Sequence, residues 1–227
     1  MKTWHVDIIT LHPEIFPGPL NVSVIGKALQ KSIWSFNTIN LHDYTPQNTR
    51  VDDRPYGGGP GMVIRPDIVA NAIESIKTRT EKTPIIYMSA RGKLLKQEYL
   101  NSFTKLNNII IICGRFEGID QRVIDLYSIH EVSIGDYILA GGDIAAMAFI
   151  ESCVRLLPGV LGNTDSINDE SFSDGNLEYS HYTRPYQWNN MQPPDVLISG
   201  NHQLIREWRI KNSLDTTLKY RPDLSKE

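Results

Sequence analysis

Three short β-branched runs, "PIIYMS" (84–89), "IIIIC" (109–113) and "IHEVSI" (129–134), are separated by stretches of helical spacing at residues 99–106 and 120–127. A strand that is apolar at consecutive positions has no face for solvent and must be covered on both sides. Strand and helix in that alternation predict right-handed crossovers and a mostly parallel sheet between two helical layers. Upstream, "WHVDII" alternates as a strand does, and Val22, Ile25, Leu29 and Ile33 recur at helical spacing. Ile39 and Leu41 suggest another strand, and Pro66 opens a helix carrying Val69, Ile73 and Ile76. The fold class expected is α/β.

At 227 residues the chain has room for one well-buried domain and an appendage, taking roughly 100–200 residues per domain. The stretch "GGDIAAMAFIESCVRLLPG" is apolar on nearly every side, which predicts a deeply buried helix, in part against a second subunit, ended by Pro158 and Gly159. Residues 163–176 are polar and without apolar periodicity, so the expected division is a domain at 1–162, a flexible linker at 163–176 and a small helical unit at 177–227. Asn201 is the expected N-cap of that last unit's helix.

The net charge of −3 hides an uneven distribution. Residues 156–183 contain no Lys or Arg, whereas residues 200–222 hold Arg206, Arg209, Lys211, Lys219 and Arg221 against only Glu207 and Asp215. Cys113 and Cys153 lie in apolar runs with no partner at metal-ligand spacing, the pattern of buried, reduced thiols in a cytoplasmic protein. His5, Asp7 and Pro13 interrupt the N-terminal stretch, so neither a signal peptide nor a transmembrane helix is expected.

Glycine-rich turns follow the three strands: "YMSARGK", "CGRFEGID" and "SIGDYILAGGD". In an open α/β sheet ligands bind outside the carboxyl ends of the strands; the plain alternative for each turn is a tight connection. Neither G-x-G-x-x-G nor the phosphate loop G-x-x-x-x-G-K-[ST] is present. The loop "DDRPYGGGPGM" (52–62) sets charge beside free backbone, as a contact surface does; a bare turn needs only its glycines and prolines.

Taken in order, "DDRPYGGGPGM", "CGRFEGID", "SIGDYILAGG", "PGVLG", "HYTRP" and "LISGNH…IREWR" resemble the bacterial tRNA (guanine-N1)-methyltransferases of the SPOUT class, over nearly the whole chain. The resemblance implies a deep trefoil knot in the α/β domain, a helical C-terminal domain that binds tRNA, and a homodimer with interfacial active sites. It implies an S-adenosylmethionine pocket at Tyr87, Ser89, Gly92, Gly114, Glu117, Gly118, Ile134, Gly135, Tyr137, Leu139, Gly141 and Gly142, with Glu178 serving from the partner. Assistance by magnesium is a further implication, with the metal requirement left open, and no acidic cluster marks a metal site by spacing. Where the family reads "SPQGR" this chain has "SARGK", with Ala90 and Arg91 in the altered positions, a change expected to loosen the turn.

The reaction implied is methyl transfer to N1 of guanosine 37, 3′ of the anticodon. Its base maps to Glu170, in "ESF" where the family has "DSF", with Asp169 as the neighbouring alternative. Arg155, before "PGVLG", would stabilise charge on guanine O6, although an arginine there also suits a chain that merely snorkels to solvent. Asp52, Asp53, Arg54, Tyr56, Gly58 and Gly59 would meet the base and flanking nucleotides, unless Asp53 and Arg54 simply pair with each other. Arg206 and Arg209 would meet phosphates, and Trp208 between them is read as core. The competing readings are a catalytically silent tRNA-binding homologue and a carboxylate-based metal hydrolase.

Overall fold

The computed structural model describes residues 3–162 and 170–226. The chain divides into two compact units, Met1–Gly162 and Asn163–Glu227.

The first unit is built on five strands, β1 (Trp4–Thr10), β2 (Trp34–Asn40), β5 (Ile85–Leu94), β6 (Asn108–Cys113) and β7 (His130–Ser133). They form one parallel sheet in the order β2-β1-β6-β5-β7. A separate two-stranded antiparallel ribbon pairs β3 (Asp52–Asp53) with β4 (Val63–Ile64). The continuous "IIII" run of β6 is explained by its two faces: Ile109 and Ile111 belong to one apolar cluster, Ile110 and Ile112 to the other, all completely buried.

The helices are α1 (Ser23–Gln30), α2 (Pro66–Glu74), α3 (Gln97–Thr104), α4 (Gln121–Leu126) and α5 (Asp143–Val154). Residues of α1, α3 and α5 fill the first cluster, where Phe103 meets Phe149 edge-on at 5.2 Å; residues of α2 and α4 fill the second. The Trp34 indole is fully buried and donates to the Ile25 carbonyl at 3.0 Å. Three expected helical positions fall just outside their helices: Val22 is the extended N-cap residue of α1, Ile33 follows α1 by three residues, and Ile76 follows α2 by two. Asp120 caps α4 by accepting from the Arg122 N–H.

The α5 helix buries Ala145, Ala146, Met147, Phe149, Ile150, Cys153 and Val154, but not every side: Ile144 is 59% exposed, and Ala148 and Glu151 share its outward stripe. Cys113 and Cys153 are free and buried, and burial pushes both thiols above their ordinary range.

The second unit carries α6 (Asp195–Ile198) and α7 (His202–Tyr220). The Asn201 side chain caps α7 by accepting from the N–H groups of Gln203 and Leu204. The segment preceding α6 is laced to α7: the Leu177 N–H donates to Thr217 Oγ1, Ser213 Oγ donates to the Leu177 carbonyl, and the Ser180 N–H donates to Asn212 Oδ1. Trp208 is half-buried against Tyr182, at 6.3 Å between ring centroids. Among the described residues no helix is long and apolar enough to cross a membrane.

Candidate functional site

Because β5 lies between β6 and β7, the turns leaving these three strands are neighbours, and a cavity of about 890 Å³ opens among them at the carboxyl ends of the sheet. Of the residues expected in a donor pocket, Tyr87, Ser89, Gly114, Glu117, Gly118, Ile134, Gly135, Tyr137, Leu139, Gly141 and Gly142 line it. Gly92 does not. A Cβ there would lie 2.3 Å from the Val132 N–H nitrogen, at the point where β5–β7 pairing slips between Met88 and Lys93. Gly92 therefore serves close strand approach. Glu178 belongs to the second unit, where its N–H donates to Ser171 Oγ and its carboxylate lies 3.7 Å from His181 Nε2.

The glycines of the second turn shape the cavity around Tyr87. A Cβ on Gly114 or on Gly118 would fall 2.7 Å from the tyrosine ring or hydroxyl, and Gly118 has φ +110° besides. Burial, reinforced by the Glu131 charge, raises the Tyr87 phenol above its ordinary value, so the hydroxyl stays neutral. The third turn folds back on the second, with the Gly142 N–H donating to the Gly114 carbonyl at 2.8 Å.

The glycine loop is docked onto the same turn. The Ile64 N–H donates to the Gly118 carbonyl and the Glu117 N–H to the Met62 carbonyl, both at 2.9 Å, and Gly61, at φ +82°, lets the Glu117 side chain lie against its backbone. Asp53, Arg54 and Tyr56 line the cavity; Asp52, Gly58 and Gly59 do not. Asp52 is turned inward, 4% exposed, and its two oxygens accept Arg50 Nε at 3.0 Å and Nη2 at 3.1 Å. The Arg50 hydrogen bonds hold its carboxyl below the ordinary range. Asp53 accepts the backbone N–H of Arg54 at 2.7 Å. The Arg54 guanidinium has no hydrogen-bond or ion-pair partner among the described residues, and Tyr56 beside it is 97% exposed.

Four further arginines line the cavity that sequence reasoning did not assign. Arg65 pairs with Asp67, Arg91 with Glu131, Arg115 with Asp143 and Arg122 with Asp120. Arg91, one of the altered "SARGK" positions, also donates to Gln121 Oε1 at 2.9 Å. It ties the first turn to β7 and α4, contrary to the expectation that the change loosens this turn. Arg115 stands within "CGRFEGID", the charged residue between its glycines, where a cavity-facing cation is signalled.

Arg155 caps the C-terminus of α5, half-buried, in the first unit. Glu170 lies in the second unit, half-buried, its carbonyl accepting from the N–H and the hydroxyl of Ser173. Asp169 lies outside the described residues. On α7, Arg206 is exposed and the Arg209 guanidinium sits over the Tyr179 ring, 4.7 Å from its centroid. Among the described residues no group of three or more His, Cys, Asp or Glu side chains is arranged around a metal position.

A parallel α/β sheet with a cavity lined by glycine-rich turns at the strand carboxyl ends is the arrangement of the open-sheet ligand-binding class. Glycines at such turns let backbone groups approach a ligand closely. Comparison with known proteins is more specific. The family described as tRNA (guanine-1)-methyltransferase TrmD matches residues 4–227. A protein of Ehrlichia canis (strain Jake) named tRNA (guanine-N(1)-)-methyltransferase is 49% identical over 225 residues, covering 98% of this chain and 96% of its own. Proteins of the same name from Wolbachia pipientis of Culex pipiens and from Neorickettsia sennetsu are each 48% identical, covering 98% and 97% of this chain and 97% of their own length. The chain belongs to the tRNA (guanine-1)-methyltransferase family.

Proposed function

We propose that the protein transfers the methyl group of S-adenosylmethionine to N1 of guanosine 37 in tRNA. The observation that carries this reading is that the family's match, over residues 4–227, contains all three turns that line the cavity. Bound S-adenosylmethionine supplies an electrophilic methyl group on a sulfonium. The chain must hold that donor with the three turns, present guanine with N1 toward the methyl group, and remove the N1 proton.

Glu170 is assigned as the general base, with Asp169 as its substitute, a role worth roughly 10²–10⁴-fold in rate. Arg155 is assigned to guanine O6, where negative charge accumulates as the proton leaves. Asp53, Arg54 and Tyr56 are the loop residues offered to the base and its neighbours, and the uncommitted guanidinium of Arg54 supports that role. Asp52 supports the loop through Arg50 rather than reading a base. Arg206 and Arg209 on α7 are assigned to phosphates, which makes residues 177–227 the tRNA-binding part and residues 163–176 the linker to it. The same reading includes a trefoil knot in the first unit, a cytoplasmic homodimer in which Glu178 completes the partner's donor site, and assistance by magnesium.

Transfer of isotopically labelled methyl from the donor to a tRNA transcript tests the reading. The wild type is expected to label the RNA, and Glu170→Gln to slow single-turnover transfer roughly 100-fold or more with donor binding retained. An unchanged rate would remove Glu170 from the mechanism. If Asp169→Asn were silent too, the carboxylate base would be lost. Absence of transfer by the wild type, with the donor bound, would favour a silent tRNA-binding homologue.

A further inference from the structure

Asp143, the first residue of α5, is 2% exposed, and its carboxylate holds Thr10 and Arg115 beside the buried Cys113 thiol. Oδ1 accepts the Thr10 hydroxyl at 2.6 Å. Oδ2 accepts Arg115 Nε at 3.0 Å and lies 2.8 Å from Nη2. Gly141 makes the arrangement possible, because a Cβ there would lie 2.4 Å from Arg115 Nε. The guanidinium is thus fixed by a buried carboxylate on one side and by bare backbone on another, while the side chain, 28% exposed, borders the cavity.

The other paired arginines on this cavity are held differently. Arg65, Arg91 and Arg122 face carboxylates that are 49%, 20% and 21% exposed, and each takes both oxygens of its partner. Arg115 uses one oxygen of its partner, and its Nη1 group has no acceptor among the described residues. A buried ion pair returns little net stability for the water it gives up. What this one accomplishes is to fix the direction of a guanidinium whose remaining N–H groups still need an anion.

We propose that Asp143 is a positioning residue that aims Arg115 at the α-carboxylate of the methyl donor. This rests on the reading of the cavity as a donor site. The donor carries one anionic group, at the end remote from its adenine. Arg115 lies where the second and third turns fold together, whereas the cavity residues Arg54 and Arg122 are exposed and better placed for RNA phosphates.

Calorimetric titration of the full chain with S-adenosylhomocysteine and with its decarboxylated analogue tests the proposal without turnover. The wild type should prefer the carboxylate-bearing thioether by about tenfold or more. Asp143→Asn should reduce that preference to about twofold while leaving affinity for the decarboxylated analogue within about twofold of wild type. Arg115→Lys keeps a cation opposite Asp143 and should lose the preference likewise, so the test survives if Asp143→Asn does not fold. Equal weakening of both ligands by the substitutions, or no preference in the wild type, would overturn the proposal. So would an intact preference accompanied by a raised KM for tRNA, which would assign Arg115 to a phosphate. Failure of the wild type to bind either thioether would instead overturn the donor reading on which the proposal stands.

Discussion

Gly118 connects the fold to the cavity, and Asp7, away from it, connects the fold to acid stability. Gly118 combines φ +110° with a Cβ position 2.7 Å from the Tyr87 hydroxyl, so Gly118→Ala must strain the backbone and displace a cavity wall at once. Its expected cost is about 1–3 kcal/mol of stability with weakened donor binding, read by thermal melting and calorimetry. Asp7 lies in β1, 3% exposed. Burial alone would raise its carboxyl, but the hydrogen bond and charge of His5, with bonds from Asn37 and Thr78, outweigh it and set the group below its ordinary value. A carboxyl depressed on folding contributes stability that is fully present above its unfolded value, about 3.9, and is lost as pH falls through the lower folded value. Asp7→Asn should therefore flatten the acid limb of a stability-versus-pH curve below about pH 4, and an unaltered limb would assign acid lability to other groups.

The sheet strands were legible at the scale of elements because each strand's periodicity reports which faces are covered. The run "IIIIC" predicts two covered faces, and β6 has them. Short-range pairing was less legible. Nothing in "YMSARGK" announces that β5 slips against β7, which makes Gly92 a packing position instead of a pocket wall. Nor does "DDRPYGGGPGM" reveal that Asp52 turns inward, since its partner Arg50 stands two residues before the motif. The α5 helix reads as apolar all round, yet Ile144, Ala148 and Glu151 form an outward stripe. The proposed homodimer needs an exposed apolar surface for the partner, and Ile144 on this stripe offers one. Ile144→Asp should shift the sedimentation coefficient from dimer toward monomer with little loss of melting temperature, because the side chain is 59% exposed in the single chain. An unchanged coefficient would place the interface elsewhere.

For the whole molecule, alternation of strand and helix suffices for a parallel α/β sheet, but not for the order β2-β1-β6-β5-β7 that sets three distant turns side by side. That order depends on which crossovers pass over which, and local periodicity carries no record of it. The cavity was nonetheless foreseeable, because glycines of the second and third turns line it, whereas its buried ion pair, Arg115 with Asp143, joins positions 28 residues apart in sequence. The central claim is methyl transfer to one atom of one nucleotide. Its most direct measurement is mass-spectrometric mapping of the methylated base after incubating the protein and S-adenosylmethionine with a transcript bearing guanosine at position 37, beside a control bearing adenosine there. Methyl on guanine N1, absent from the control, is the expected result. Methyl on another atom or nucleotide, or none on either RNA while the donor binds, would contradict the claim.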